Sequence, residues 1–258
     1  MAKRFLAAAA TAILFLLMNA CSSGSGSMPP ANPALAAERQ RTVDRWQRSI
    51  RESAELLRDG SYGKSLSIAD GVIDEMVDRL GRGDDETKSF GVVLVHKALA
   101  HAGLGQEREA VWYWHMAVNL YPELAGGDLS MYGQPGTFLK NHPLPHWGTD
   151  PTHEPGTPAA NPRDLMVPRN VTDPKLVMKV QPTFPRGARA LGVTGVLFVE
   201  LVIDEKGTVT SARLIKALPA PTLSYTALEA MKRWRFEPRT ENETPVKALY
   251  MVKMEFKL

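Results

Sequence analysis

The chain has 258 residues, of which 44% are hydrophobic and 23% are charged, and its formal net charge is +3. This balance is typical of a soluble globular protein with room for two modest domains. The single cysteine excludes an intrachain disulfide and a zinc site built on several thiolates.

Residues 1–20 have the pattern of a secretory signal. Two basic residues precede an apolar run over residues 5–18, which is shorter than the roughly 20 residues that a membrane-spanning helix needs. Small Ala20 is followed directly by Cys21, and this junction resembles the lipobox of bacterial lipoproteins, whose cysteine is acylated. We predict a lipoprotein signal peptide over residues 1–20 and lipidation at Cys21. An ordinary signal peptide and an uncut N-terminal helix are the alternatives.

Residues 21–35 contain few apolar side chains to bury and are predicted to be a flexible tether. The lipobox resemblance, with serine after the cysteine, implies a lipid anchor in the outer rather than the inner membrane. We therefore expect the protein on the periplasmic face of the cell envelope. Residues 172–258 contain 14 Lys or Arg and 9 Asp or Glu, but export from the cytosol argues against a nucleic-acid partner.

Residues 36–124 are predicted to be a helical module. Apolar side chains recur at helical spacing through residues 36–80, and Gly60 ends the first of two helices there. A second pair is predicted over residues 88–104 and 107–121.

The second helix pair resembles a tetratricopeptide repeat in the spacing of its small residues and its closing proline. The matching positions are Ala98, Gly105, Ala110, Trp114, Ala117 and Pro122. The turn glycines Gly60 and Gly105 lie 45 residues apart, whereas a regular array has a period of about 34. We therefore expect a repeat-like module, whose concave face either holds a peptide or serves packing alone.

Residues 125–171 are rich in glycine, proline, histidine and aspartate and show no sustained periodicity, so we expect an extended linker. Its potential metal ligands follow no recognised spacing, and we predict no metal site. These residues are His142, His146, Asp150, His153 and Glu154.

The last part of the chain predicts a compact α+β domain. A β-rich run over residues 196–204 is followed by a turn over residues 205–207 and a return strand over residues 208–217. A helix follows over residues 223–234, and residues 246–258 alternate between apolar and mostly charged side chains. With a short helical turn before the first strand, this order predicts a three-stranded antiparallel sheet and two helices.

The segments "QPTFP", "GVTGVLFVELVIDEKGTV" and "ALEAMKRWRFEP" and the closing strand resemble the TonB C-terminal domain family over residues 172–258. In that family, a short box near the N-terminus of an outer-membrane transporter pairs along the last strand and contacts the Gln-Pro motif. The resemblance therefore implies partner contacts at Gln181, Pro182, Phe184, Pro185, Tyr250, Val252, Lys253 and Met254. Trp234 and Phe236 are expected to be structural core residues.

A small sheet has exposed edges, whose unpaired N–H and C=O groups can accept an extended peptide as an additional strand. A second copy of the domain could occupy the same edge, which makes a homodimer an alternative. The partner implied by the resemblance is an outer-membrane transporter or another envelope protein.

The resemblance also implies, for the energy transducers of the family, an inner-membrane helix and a long proline-rich spacer. Here the sequence predicts a lipidated N-terminus and a helical module, so we expect a protein that binds a partner and assists transport rather than one that pulls on transporters. The alternative is a structural scaffold lipoprotein whose TonB-like domain dimerises or binds cell wall. The sequence contains no G-x-S-x-G, H-E-x-x-H or phosphate-binding glycine loop, and we predict neither an enzyme nor a cofactor.

Overall fold

The computed structural model describes residues 32–80, 87–144 and 171–258. The chain divides into two compact units, one ending at Thr42 and one running from Val43 to Leu258. Of the first unit, the structure describes only residues 32–42. The predicted signal peptide, Cys21 and most of the predicted tether lie outside the described residues.

The first part of the described chain is helical, as the apolar spacing predicts. Its helices are α1 (Pro33–Arg58), α2 (Tyr62–Arg79), α3 (Thr87–Gly103) and α4 (Glu107–Leu120). Gly60 and Gly105 follow α1 and α3 with φ of 74° and 72°, a left-handed conformation in which glycine has no Cβ to clash. These bounds confirm the four helices, whereas the tetratricopeptide resemblance stays a prediction.

Part of the segment expected to be an extended linker is helical instead. Two 3-10 turns, Pro122–Gly126 and Ser130–Tyr132, lead into α5 (Gly133–Lys140). The helix is held by packing, since Leu139 is fully buried. An eight-residue helix containing glycine and proline is too short to show an apolar period, so the sequence alone did not indicate it. Residues 145–170 lie outside the described residues.

The C-terminal part contains the predicted three-stranded antiparallel sheet. Its strands are β3 (Gly195–Ile203), β4 (Val209–Lys216) and β8 (Ala248–Phe256), in the order β4-β3-β8. The two predicted helices are α6 (Arg186–Ala190) and α7 (Pro221–Lys232).

The described residues also form two smaller antiparallel sheets that the sequence analysis did not predict. Their strands are β1 (Val171–Thr172), β2 (Lys175–Met178), β5 (Arg235–Glu237), β6 (Arg239–Glu241) and β7 (Thr244–Val246). Strands of two to four residues are too short to show a period-two pattern. The strands β1 and β2 also pair with β6 and β5, about 60 to 70 residues further along the chain, whereas β6 and β7 form a local hairpin.

The strand β8 shows the half-buried alternation that the sequence predicts. Ala248, Val252 and Phe256 are buried, whereas Leu249 and Met251 are 50% and 54% exposed. Successive side chains of a strand point to opposite faces, so one face of β8 contributes to the core and the other meets solvent.

The helices α2 to α4 and the C-terminal sheet share one hydrophobic core within the second unit. The rings of Phe90 in α3 and Tyr225 in α7 meet edge to face with centroids 5.4 Å apart, a favourable geometry for aromatic pairs. The helical part and the TonB-like part therefore do not bury separate cores.

A polar cluster joins the same helices. Lys97 Nζ lies 2.8 Å from Asp70 Oδ1, and the Tyr113 hydroxyl donates a hydrogen bond of 3.3 Å to Glu229 Oε2. The ammonium groups of Lys97 and Lys232 lie 4.1 and 4.6 Å from the centroid of the Tyr113 ring, which is cation–π distance. Burial, together with nearby Glu229, raises the pKa of Tyr113, so this residue stays a neutral donor between α4 and α7.

Replacing Gly207 tests the turn that links the sheet to β5. Gly207 has a φ of 75°, and a Cβ there would lie 1.7 Å from the carbonyl oxygen of Phe236. We expect Gly207→Ala to lower the free energy of unfolding by about 3 kcal/mol or more, since backbone strain and a backbone clash add. Gly60→Ala is the control, because Gly60 has a φ of 74° with no atom within 4 Å of a Cβ and should cost only about 1 kcal/mol. If urea denaturation showed that the two variants lose equal free energies of unfolding, the predicted clash at Gly207 would be contradicted.

Buried His96 predicts a loss of stability at acid pH. Burial, and to a smaller extent the charge of Arg58, lowers its pKa from 6.5 to about 4. Between these values the unfolded chain binds a proton that the folded chain does not, so lowering the pH favours unfolding. We expect this one residue to lower the free energy of unfolding by about 2 kcal/mol between pH 7 and pH 5.

The measurement is urea denaturation at both pH values. His96→Gln should make the pH dependence of the free energy of unfolding shallower than in the wild type. If the free energy of unfolding of His96→Gln fell between pH 7 and pH 5 by as much as that of the wild type, His96 would not be the source of the acid sensitivity.

Candidate partner-binding site

The strand β8 is an edge of the three-stranded sheet. Among the described residues it pairs with β3 along its full length and has no strand neighbour on its other side. Alternate main-chain N–H and C=O groups of an edge strand point away from the sheet. The geometry that the sequence analysis expected for an accepting edge is therefore present at the strand it indicated.

An open groove of about 280 Å³, here called the β8 groove, lies beside the C-terminal half of this strand. The segment between β2 and α6 forms one wall, and the last residues of β8 form the other. The lining residues are Lys179, Gln181, Pro182, Phe184, Trp234, Lys253, Met254, Glu255, Phe256 and Lys257.

Two prolines and one indole fix the wall that carries the Gln-Pro motif. Pro182 and Pro185 restrict the residue before each of them to extended conformations, and Pro185 itself has a φ of −59° and a ψ of 141°. The indole Nε1 of Trp234 donates a hydrogen bond of 2.8 Å to the carbonyl oxygen of Val180. The segment is thus held extended beside β8 before any partner binds.

Three aromatic side chains line the β8 groove and form its aromatic floor: Phe184, Trp234 and Phe256. The ring of Phe184 meets Phe256 of β8 edge to face at 5.7 Å between centroids. Trp234 and Phe236 are 2% and 4% exposed, and Phe236 meets the ring of Tyr250 at 5.0 Å. Trp234 therefore belongs both to the core and to the lining of the β8 groove.

The helical module supports the same wall through α6. A Cβ on Gly187 would lie 2.9 Å from the carbonyl oxygen of Arg79 at the end of α2, so only glycine permits this contact. Arg186 Nε lies 3.6 Å from Asp78 Oδ2, although this ion pair is exposed and contributes little. Because α6 follows the Gln-Pro segment directly, its contact with α2 positions one end of the groove.

The structure brings together five of the eight residues predicted to contact a partner: Gln181, Pro182, Phe184, Lys253 and Met254 all line the β8 groove. The other three do not present their side chains to it. Pro185 is buried at the start of α6, Val252 is 6% exposed, and Tyr250 packs on Phe236. Tyr250 and Val252 lie opposite Leu201 and Val199 of β3, so the main-chain groups of β8 that point outward belong to their neighbours, such as Met251 and Lys253.

Sequence reasoning missed the basic character of the groove. Lys179, Lys253 and Lys257 line it together with one acidic residue, Glu255, whose Oε2 lies 3.1 Å from Lys257 Nζ. Lys179 Nζ lies 5.7 Å from the centroid of the Trp234 ring. The excess of lysine in residues 172–258 was visible in the sequence, but its concentration here depends on the meeting of two distant segments.

The described residues contain no group of three or more His, Cys, Asp and Glu side chains arranged to hold a metal ion. None of their helices is both long enough and apolar enough to cross a membrane.

Residues 180–258 match the family described as "Gram-negative bacterial TonB protein C-terminal". This part of the chain falls in the TonB C-terminal domain family. The match includes the Gln-Pro motif, both strands of the hairpin, and β8, so it confirms the family resemblance seen in the sequence.

Individual relatives agree with this match. The chain is 44% identical to "Protein TonB" of Yersinia enterocolitica over 66 residues, 26% of each chain. It is 33% identical to "Protein TonB" of Vibrio cholerae serotype O1 over 110 residues, 42% of this chain and 45% of the relative. The chain thus spans less than half the length of these relatives.

The solution NMR structure of the Pseudomonas aeruginosa TonB CTD is also similar. It shares 28% sequence identity with the chain and has a TM-score of 0.30, with 34% of this chain and 88% of that chain covered.

Proposed function

We propose that this protein is a non-enzymatic, TonB-type protein of the cell envelope that binds an extended partner peptide by strand addition to β8. One observation carries the proposal: Gln181, Pro182 and Phe184 converge with the C-terminal half of β8 on one groove beside a sheet edge that has no strand neighbour in the described residues.

Strand addition uses two kinds of contact. The main-chain groups of β8 supply hydrogen bonds that do not depend on the partner's sequence. The side chains of the partner strand alternate between faces, so every second one enters the β8 groove and meets Phe184, Met254 and the exposed part of the aromatic floor. Because the groove is held open by prolines and by the Trp234 hydrogen bond, little conformational entropy is lost on binding.

The charge of the groove favours an acidic partner. Three lysines and one glutamate line it, and a carboxylate on the bound strand would gain charge-assisted hydrogen bonds from Lys179 or Lys253. These lysines are at the surface, so their contribution should weaken with salt. We therefore propose a peptide with apolar residues on one face and at least one acidic residue.

The partner class follows from the domain family. We propose that the bound segment is the N-terminal box of an outer-membrane transporter or a similar segment of another envelope protein, and that binding assists outer-membrane transport. The relatives named "Protein TonB" support this partner class over others.

A peptide titration tests the proposal. The full chain is labelled with ¹⁵N and titrated with a transporter-derived box peptide. We expect amide shifts in residues 181–184 and 248–256, and we expect Phe184→Ala to weaken binding about tenfold because a buried aromatic contact is lost. Leu191→Ala is the matched control, since Leu191 is 62% exposed and does not line the groove. Absence of shifts at millimolar peptide would reject strand addition.

A scaffold function remains the second candidate, and one observation favours it. Leu249 and Met251 are half exposed on the same edge strand, and pairing of β8 with β8 of a second copy would cover both. In that case the chain would show a concentration-dependent dimer in sedimentation, and box peptide would neither bind nor dissociate it. A monomer that binds the peptide would exclude this candidate.

We also propose that Cys21 is lipidated and anchors the protein to the membrane on the periplasmic side, with the outer membrane favoured. The support is the sequence pattern alone, since this residue lies outside the described range. Cells grown with labelled palmitate should incorporate label into the wild-type protein, whereas Cys21→Ala should incorporate none because the acylated thiol is removed. Equal labelling of the two proteins would reject the anchor.

A further inference from the structure

The strand β4 is the second edge of the sheet, and its surroundings differ from those of β8. Among the described residues, β4 pairs with β3 on one side and has no strand on the other. Instead, the helix α4 lies along this side, and three of its residues reach main-chain or side-chain groups of β4.

Asn119 occupies the position of a neighbouring strand. Its Nδ2 donates a hydrogen bond of 2.9 Å to the carbonyl oxygen of Ala212, and its Oδ1 accepts one of 3.0 Å from the main-chain N–H of Leu214. A side-chain amide has the same donor and acceptor as a peptide group. One asparagine thus satisfies an outward C=O and an outward N–H that an added strand would otherwise bind.

Two further residues of α4 extend this contact towards the start of β4. Arg108 Nη2 donates a hydrogen bond of 3.2 Å to the carbonyl oxygen of Val209. His115 Nδ1 lies 3.2 Å from Ser211 Oγ. The covered part of the strand therefore runs from Val209 to Leu214.

His115 also ties the end of α5 to this edge. Its Nε2 lies 3.2 Å from the carbonyl oxygens of both His142 and Pro143. The ring is buried, and burial lowers its pKa while the two carbonyl contacts raise it. The contact with Ser211 is therefore one side of a buried bridge between the helical module and the sheet.

We propose that α4 is a built-in cap of the β4 edge, with Asn119 as its central residue, and that it prevents β4 from pairing with β4 of a second copy of this chain. Open edge strands pair readily with other chains, and natural proteins cover them with helices or loops. The cap restricts strand addition to β8. This inference does not depend on the proposed peptide binding, since it concerns the opposite edge.

The choice of a second copy as the excluded partner rests on the composition of β4. The strand contains Val209, Ala212, Leu214 and Ile215 but no acidic residue, and Ile215 is already 49% exposed. Of its two basic residues, Arg213 is paired with Glu200 of β3, with Nη2 and Oε2 2.9 Å apart, and Lys216 lies at the last position of the strand. Without α4, the edge would present apolar side chains and unpaired main-chain groups, which are the features that favour pairing with an identical strand.

Asn119→Leu in the full chain tests the cap, because leucine keeps the approximate volume and removes both hydrogen bonds. Amide hydrogen exchange of Leu214 should accelerate about tenfold or more, since its partner is lost, while exchange of Leu201 in the central strand β3 should not change. Sedimentation should show more self-association than in the wild type. Asn141→Leu makes the same chemical change at an exposed position outside α4 and β4 and should behave as the wild type in both measurements.

Each other outcome overturns the proposal. Unchanged exchange at Leu214 would mean that Asn119 does not protect the edge. Equal acceleration at Leu214 and Leu201 would mean that Asn119 supports the core in general. Faster exchange at Leu214 without added self-association would mean that the cap does not keep a second copy away.

Discussion

The main-chain groups along the two edges of the sheet need hydrogen-bond partners. The two edges differ in what lies beside them. On the β4 side, the Asn119 amide hydrogen-bonds to Ala212 and Leu214. On the β8 side, no strand lies next to the edge in the described residues, and a groove opens beside it. The open edge positions among the described residues are therefore concentrated on the β8 side, and an edge can accept a strand only where its groups are free.

The same helix explains why the helical module and the TonB-like domain form one structural unit. Besides contacting β4, α4 contributes Tyr113, whose ring lies within cation–π distance of Lys97 and Lys232 and whose hydroxyl donates to Glu229 of α7. At another point, α2 contacts Gly187 next to the Gln-Pro segment. The groove thus owes part of its shape to helices that lie outside the matched family region of residues 180–258. Cutting the chain between the two parts would expose both the β4 edge and shared core.

The candidate site combines features that were visible in the sequence with others that were not. The motif around Gln181 and the alternation in β8 both appear in the printed sequence, and together they indicated the two walls of the groove. The basic lining by Lys179 and Lys257 did not follow from either pattern, because it depends on where two segments about 70 residues apart meet. The pattern indicated the strand that the structure shows as an edge, β8, but not which of its side chains line the groove.

The sequence by itself determined the local elements that extend over several turns or strand repeats: helices α1 to α4, the hairpin of β3 and β4, α7, and the alternating strand β8. Apolar periodicity and turn glycines encode these directly. Tertiary structure alone decided the formation of α5 and of the short strands β1, β2 and β5, and it also decided the placement of α4 along β4. These features arise from contacts between residues far apart in the chain, such as Asn119 with Leu214, and such contacts leave no local period in the sequence.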